Sequence, residues 1–309
     1  MAEQTLKLPR ERKLTFRESF RGKGICYALS MPFMVLFCAF TVLPVIISLL
    51  LSFTSFNVLE FPKWVGLDNY FRLFLEDDVF IKSIGNTLVL AVATGPGGYL
   101  LCLIMAWFIN ELTPKVRAVV TLVFYAPSIS GSVFLVWTTL FSGDEYGWLN
   151  GFLLKNALVT EAINWLKKPE YMMAIVIGVA LWASLGASFL TFIAGFQGID
   201  KSLYEASAID GIRNRWQELW FVTLPAMRPQ LIFGAVMSIT GAFGVGGITT
   251  ALCGNPSQDY AVHTMMNHLE DYGGVRYEMG YASAIATLLF LLMIGSNKVI
   301  QKMIAKVGD

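Results

Sequence analysis

The chain reads as an all-α membrane protein that crosses the bilayer six times, and three observations say so. Of its 309 residues 55% are hydrophobic and only 15% are charged, with a mean hydropathy of +0.59; an ordinary soluble domain carries roughly a quarter charged residues. Six runs free of Asp, Glu, Lys, Arg and His each reach the roughly 20 residues that a spanning helix needs. The Lys and Arg residues between those runs fall into two unequal sets, as they do in membrane proteins of fixed orientation.

The runs are Cys26–Leu59, Ser83–Asn110, Ala118–Gly143, Tyr171–Ile199, Pro229–Gln258 and Met279–Asn297. They predict spans at approximately 26–55, 83–110, 118–142, 171–197, 229–250 and 280–300, so that residues 1–24 form a tail and 25–309 the membrane domain. The first run is too long for the apolar part of a signal peptide and follows Arg10, Arg12, Lys13, Arg17, Arg21 and Lys23. It is expected to be a retained helix, with nothing cleaved. Pro32, Pro44, Pro96 and Pro127 lie inside runs; neighbouring helices can satisfy the carbonyls they free, so kinks are expected rather than breaks.

Six spans put both termini on one side. That side collects sixteen Lys and Arg; the other holds seven, at Lys63, Arg72, Lys82, Lys155, Lys167, Lys168 and Arg276. The positive-inside rule therefore places both termini, and the stretch between the fourth and fifth spans, in the cytoplasm. The outer loops are Asn57–Lys82, Asp144–Glu170 and about 259–278. "FPKWVGLDNYFRLFLEDDVF" in the first has the aromatics of an interfacial segment. "DYAVHTMMNHLEDYGGVRYEMG" in the third is acidic and aromatic, a candidate docking surface.

Several functions are disfavoured. A net charge of +1 provides no basic field for nucleic acid. Cys26, Cys38, Cys102 and Cys253 form no redox or metal pattern and read as packing residues. His263 and His268 are five apart with no acidic ligand set beside them, so no metal site is expected. No G-x-x-x-x-G-K-[ST], G-x-S-x-G or H-E-x-x-H occurs, so the chain has no phosphate-cradling loop and no recognisable catalytic machinery. It is not expected to be an enzyme. Charge-free spans argue against a proton relay and against a charged solute; a secondary carrier using a sodium site of neutral oxygens stays open.

The cytoplasmic stretch "LYEASAIDGIRNRWQELWFVTLP", Leu203 to Pro225, breaks the apolar pattern. Asp200 and Ser202 are both good helix N-caps, and Ser202 and Glu205 have capping-box spacing. Glu205, Ala206, Ser207 and Ala208 present small side chains that let another surface approach. Gly211 is placed to end the helix in a left-handed cap. A second helix is expected at roughly 214–222, with Trp216, Leu219 and Trp220 on a shared face, and Leu224-Pro225 as its stop. The product is a helix–turn–helix elbow across the cytoplasmic mouth; an ordinary interfacial helix anchored by its tryptophans has the same pattern.

"EASAIDG…TLP" resembles the EAA loop of binding-protein-dependent ABC importer permeases, matched here at Glu205, Ala206, Ser207, Asp210, Gly211, Leu224 and Pro225. "VGLDNY" (65–70), Asn86-Thr87, "LYEAS" and "GYASAIATLLF" (280–290) narrow the likeness to sugar-importer permeases of the maltose type, first permease subunit, over nearly the whole chain after about residue 25. The resemblance implies a type I importer fold in a prokaryotic inner membrane. It also implies a coupling helix at loop 200–225 that fits a cytoplasmic ATPase, a second and different permease, two ATPase copies that bind ATP and Mg, and an extracellular solute-binding protein. The chain itself would hold no cofactor. The expected cargo is a carbohydrate, an oligosaccharide, with another neutral solute as the alternative. Two departures stand out: Asp200 occupies a position where the family usually has proline, and the segment from Gly211 to Leu224 is one residue longer than usual. The second loop helix is therefore expected to be rotated or bulged.

In the maltose-type permeases the sugar contacts come from the spans flanking this loop. The matching stretches are "WASLGASF", with Trp182, Ser184 and Ala187, and "MSITGAFGVGG", with Met237, Ser238, Thr240, Gly241 and Gly244. The glycines at 234, 241 and 244 also suit close helix packing, and Trp182 suits either a sugar ring or space-filling.

Overall fold

The computed structural model describes residues 24–130 and 133–304; the basic tail from Arg10 to Lys23 lies outside them. The chain divides into two compact units, Met1–Leu50 and Leu51–Asp309. Helix α1 (Gly24–Leu51) accounts for nearly all that is described of the first unit and is long and apolar enough to cross a membrane. Pro32 sits inside it without a break. Pro44 lacks an N–H and leaves the carbonyl of Phe40 without its α-helical donor. The helix responds with a π turn at Cys38–Val42, in which the Leu43 N–H reaches back to the Cys38 carbonyl.

The second unit opens with a short antiparallel hairpin, β1 (Thr54–Ser55) and β2 (Lys63–Trp64), then α2 (Asp68–Leu75) and the 33-residue α3 (Asp78–Asn110). Next come α4 (Pro114–Ile129), α5 (Phe134–Leu140), α6 (Trp148–Lys155), α7 (Pro169–Ala183) and α8 (Ala187–Gly198). The loop helices are α9 (Lys201–Ile209) and α10 (Arg215–Ala226). The chain closes with α11 (Arg228–Phe243), α12 (Gly246–Cys253), α13 (Met265–Glu270) and α14 (Met279–Ile304).

Helices α1, α3 and α14 are each long enough to span a bilayer; three further spans arise if α4 with α5, α7 with α8, and α10 with α11 are each counted as one bent pair. The helices depart in detail from the predicted runs. The fourth is bent by 40° between α7 and α8, and the fifth is entered through an 83° bend from α10 and broken at Gly244-Val245 before α12. The stretch expected to form an interfacial segment at 57–82 carries β2 and α2, and β1 pairs with β2 from the end of the first predicted span.

Helix α3 is the central post. Three apolar clusters form the interior of this unit, and each takes side chains from it. Cys102 and Ala106 join Phe189, Phe192 and Met227; Leu90 joins Met172, Val176 and Val262; Phe80 joins Phe243, Met265 and Ile285. In a bilayer these clusters are held by close packing and by buried hydrogen bonds, since lipid tails are as apolar as the side chains themselves.

Candidate functional site

The loop between α8 and α11 is an ordered elbow. Asp200 caps α9, its carboxylate accepting from the Ser202 amide at 3.0 Å. Ser202 is thus the second residue of the helix, and the Ser202–Glu205 box does not form. At the other end Gly211 has φ +95°, the left-handed region that costs any residue with a Cβ. The Ile212 amide bonds the Ser207 carbonyl at 3.0 Å and the Gly211 amide bonds the Ala208 carbonyl at 3.3 Å. Both bonds of a Schellman cap are present. Between the caps α9 turns Ser207 inward, its hydroxyl bonded to the Tyr204 carbonyl. Outward it presents Leu203, Glu205, Ala206 and Ile209, the last 87% exposed. Asp210 is also exposed.

Asn214 caps α10 through the Gln217 amide at 2.8 Å. The segment expected to be longer than usual contains a π turn at Leu219–Thr223, a wider turn with i→i+5 hydrogen bonding. The turn buries Leu219 and leaves Trp216 and Trp220 largely exposed, so the three do not share one face. Leu224 is buried, and Pro225 continues the helix instead of stopping it; the sharp bend comes at Met227. The Tyr204 hydroxyl lies 3.2 Å from Thr223 Oγ1 and ties α9 to the π turn.

The predicted solute residues divide cleanly. Ser184, Ala187, Met237, Ser238 and Gly241 line one cavity of about 210 Å³ between α7, α8 and α11. Trp182, Thr240 and Gly244 do not. Trp182 packs edge-on against Trp137 at 5.2 Å, Thr240 donates to its own helix at the Val236 carbonyl, and Gly244 forms the end of α11. Gly234 is a packing glycine, since a Cβ there would run into the Phe192 ring, whereas Gly241 has open space. Among the described residues, no charged side chain lines the cavity. Its hydroxyls donate to helix carbonyls: Ser184 to Leu181 at 2.6 Å, Thr94 to Leu90 at 2.7 Å, and Ser188 to Gly234 at 3.1 Å. Thr94 and Ser188 line the cavity but were not picked out from the sequence; the Thr-Gly-Pro-Gly-Gly run at 94–98, a proline and glycines inside a span, was the available signal for Thr94.

The opposite end of α3 holds a buried polar hub, also not foreseen. Asp77 caps α3 through the Phe80 amide at 2.9 Å and accepts from the Tyr281 hydroxyl at 2.7 Å. His268 Nε2 lies 3.0 Å from the same carboxylate, and His268 Nδ1 lies 3.2 Å from His263 Nε2. The two histidines do have an acidic neighbour, then, although among the described residues no group of three or more His, Cys, Asp or Glu is placed to hold a metal. Burial opposes ionisation of Asp77, yet the Tyr281 hydroxyl, the Phe80 amide and His268 together hold its carboxyl below the ordinary value. An ionised Asp77 can only accept. His268 therefore donates from Nε2 and accepts at Nδ1, His263 donates from Nε2, and His263 Nδ1 is left as a buried lone pair with no donor. Burial, with His268 beside it, pushes the His263 pKa down to about 4. Burial also lowers that of His268 against the upward pull of Asp77.

Membrane-length helices around a small cavity, with a doubly capped helix held out on a loop, have the build of a membrane transport subunit. Residues 20–306 match the family described as "Binding-protein-dependent transport system inner membrane component", and the chain belongs to it. It is 32% identical over 273 residues to the "Probable ABC transporter permease protein YesP" of Bacillus subtilis (strain 168), across 86% of each chain. It is 28% identical over 277 residues to the arabinooligosaccharides transport system permease protein AraP of the same organism, across 89% of this chain and 87% of that one. Its fold is that of a chain in a bacterial ABC transporter involved in import of the acidic polysaccharide alginate, with a TM-score of 0.75 and 24% identity over 95% of this chain and 99% of that chain. That transporter has also been solved in complex with an alginate pentasaccharide-bound periplasmic protein.

Proposed function

We propose that this chain is one of two permease subunits of an ATP-driven importer for an uncharged saccharide of more than one ring. It lies in the inner membrane with both termini and the loop 200–225 in the cytoplasm. Two ATPase subunits grip the loop and hydrolyse ATP, and a soluble binding protein delivers the sugar from outside. The observation that carries the coupling role is α9, an ordered helix tied down on its Tyr204 and Ser207 side whose other side offers Leu203, Ala206 and Ile209 to a partner. An apolar face held in water by two caps is a docking surface in search of a cover.

The cargo class is supported by AraP, whose described role is transport of arabinooligosaccharides, and by the chemistry of the cavity. Hydroxyls that donate to helix carbonyls keep lone pairs for accepting from a sugar's hydroxyls. The absence of any cationic side chain from the lining favours a neutral cargo over an acidic one such as alginate. At about 210 Å³ the cavity falls below the roughly 300–1,000 Å³ of complete ligand sites, as suits a site shared with a second permease. A proton-coupled carrier is disfavoured because, among the described residues, no titratable side chain lines the cavity.

Purification of the chain from its native membrane tests the proposal. An ATPase is expected to come with it, and hydrolysis is expected to rise when binding protein and sugar are added. Solute movement by the isolated chain without ATP would overturn it.

A further inference from the structure

Helix α3 flanks neither side of the coupling loop in sequence, yet α10 is fastened to its end. Arg215 reaches Glu111, the residue that closes α3, at 3.1 Å while also holding Glu218 of its own helix at 2.9 Å. One turn away the Trp216 ring meets Trp107 of α3 edge-on, centroids 4.9 Å apart. Arg117 fixes the same terminus from α4, donating to the Asn110 and Leu112 carbonyls at 2.6 and 3.1 Å. Behind this joint lies a polar cavity of about 530 Å³ with Arg117, Gln197, Lys201 and Tyr204 on its walls, so the loop is bolted across a space and not packed solid against the span.

From the joint α3 runs as one unbroken helix past Thr94, which lines the proposed solute cavity, to Asp77. Thirteen residues separate Trp107 from Thr94, about 20 Å of helix at 1.5 Å per residue. Next to Thr94 the helix contains Gly95, Pro96, Gly97 and Gly98, where a missing N–H and the absence of side chains make bending easiest.

We propose that α3 is a connecting rod: Arg215 and Trp216 pass the movement of the coupling loop sideways to Glu111 and Trp107, and α3 delivers it to the cavity at Thr94. Arg215 and Trp216 are then positioning residues for transport, acting in addition to the direct links from the loop to α8 and α11. The inference rests on the permease reading above. It assigns a route that the sequence motif does not contain, since neither Glu111 nor Trp107 belongs to the loop.

The test uses the whole complex, with second permease, ATPases and binding protein, in proteoliposomes. The readout is solute taken up per ATP hydrolysed. Exposed ion pairs add little to stability, so Glu111→Gln is expected to assemble normally. It should lower the ratio at least about fivefold, the low end of ordinary coupling between sites. Trp216→Leu, which keeps every charge, should lower it in the same way. Glu218→Gln removes only the bridge inside α10 and should keep the wild-type ratio. The inference is overturned if Glu111→Gln and Trp216→Leu both retain the wild-type ratio, or if Glu218→Gln falls as far as they do. A wild-type complex whose hydrolysis ignores binding protein and sugar would instead sink the permease reading itself.

Discussion

The two ends of α3 are built on opposite principles. At Asp77 the helix is held by largely buried groups, a carboxylate that serves a helix cap, a tyrosine and a histidine at once; beside them a half-exposed Arg72 stacks 4.3 Å over Tyr281 while paired with Glu278 at 2.6 Å. At Glu111 it is held by half-exposed ones, the Arg215 bridge and the edge of one indole over a polar cavity, with Arg117 on the neighbouring carbonyls. In a low dielectric the partnered groups of such a network are costly to disturb, although His263 Nδ1 goes without a partner. At an exposed surface the same interactions are worth little and are easily exchanged. One end is an anchor and the other a bearing, which is what a helix pushed from one side requires.

The sharpest way to break that contrast is Asp77→Ala. It removes the cap and leaves a tyrosine hydroxyl and an imidazole N–H buried without an acceptor. The expected loss is about 3 kcal/mol or more, summing a cap and at least one orphaned donor, read as a lowered thermal midpoint in detergent. Asp77→Asn keeps one carbonyl oxygen and should lose less. A variant as stable as the wild type would mean that the hub is not an anchor.

The second test is acidity. The folded state lowers the pKa of His263 to about 4 and also lowers that of His268, whereas an unfolded histidine titrates near 6.5. Neutral imidazole is therefore the folded form. Its contribution is fully present above about pH 6.5 and is lost as pH falls toward 4, at about 1.4 kcal/mol per pH unit for each proton taken up only on unfolding. Thermal midpoints measured from pH 7.5 to 4.5 should fall across that window in the wild type and fall less in His263→Phe. The Glu111 end has no such buried base, so the distance between Trp107 and Trp216 labels should not follow the same curve.

The sequence makes this contrast visible at one end only. Spans show as apolar runs because hydrocarbon tolerates little else. Gly211 marks the end of α9 because a left-handed residue there demands glycine. Five of the eight proposed solute residues share a cavity, and the other three lie off it largely for reasons of helix phase. Trp182 lies two residues from Ser184, and Thr240 two from Ser238; at 3.6 residues per turn such neighbours point to nearly opposite faces. Ser238 and Gly241, three apart, share one. The choice between Asp200 and Ser202 as cap was not decidable locally, since both residue types cap equally well. The hub was not legible at all, because His268 and Asp77 are separated by 191 positions and only the packing of α3 against α13 and α14 brings them together.

A smaller effect is expected at Gly211. Gly211→Val forces a β-branched residue to φ +95°, a cost of about 1–2 kcal/mol that falls on the loop and not on the α3 core. The thermal midpoint should barely move, while ATPase stimulation by binding protein and sugar falls. If instead the whole chain melts earlier, the loop is more tightly integrated with the core than its exposed contacts imply.

The smallest effect on stability should come from the residue most exposed on α9. Ile209 is 87% accessible, and removing a side chain that touches so little usually changes stability by no more than about 0.5 kcal/mol. Ile209→Ser therefore should leave the isolated chain's thermal midpoint unchanged, or raise its solubility. In the assembled importer the same change takes apolar area from the surface offered to the ATPase, so co-purification of that partner should weaken and coupled hydrolysis with it. The two measurements have to diverge for the contrast between the ends of α3 to hold. An anchor residue such as Asp77 fails in the isolated chain first, whereas a bearing-side residue is silent there and fails only under load. An Ile209→Ser chain that retains its ATPase in full would show that the exposed face of α9 is not the surface that is gripped.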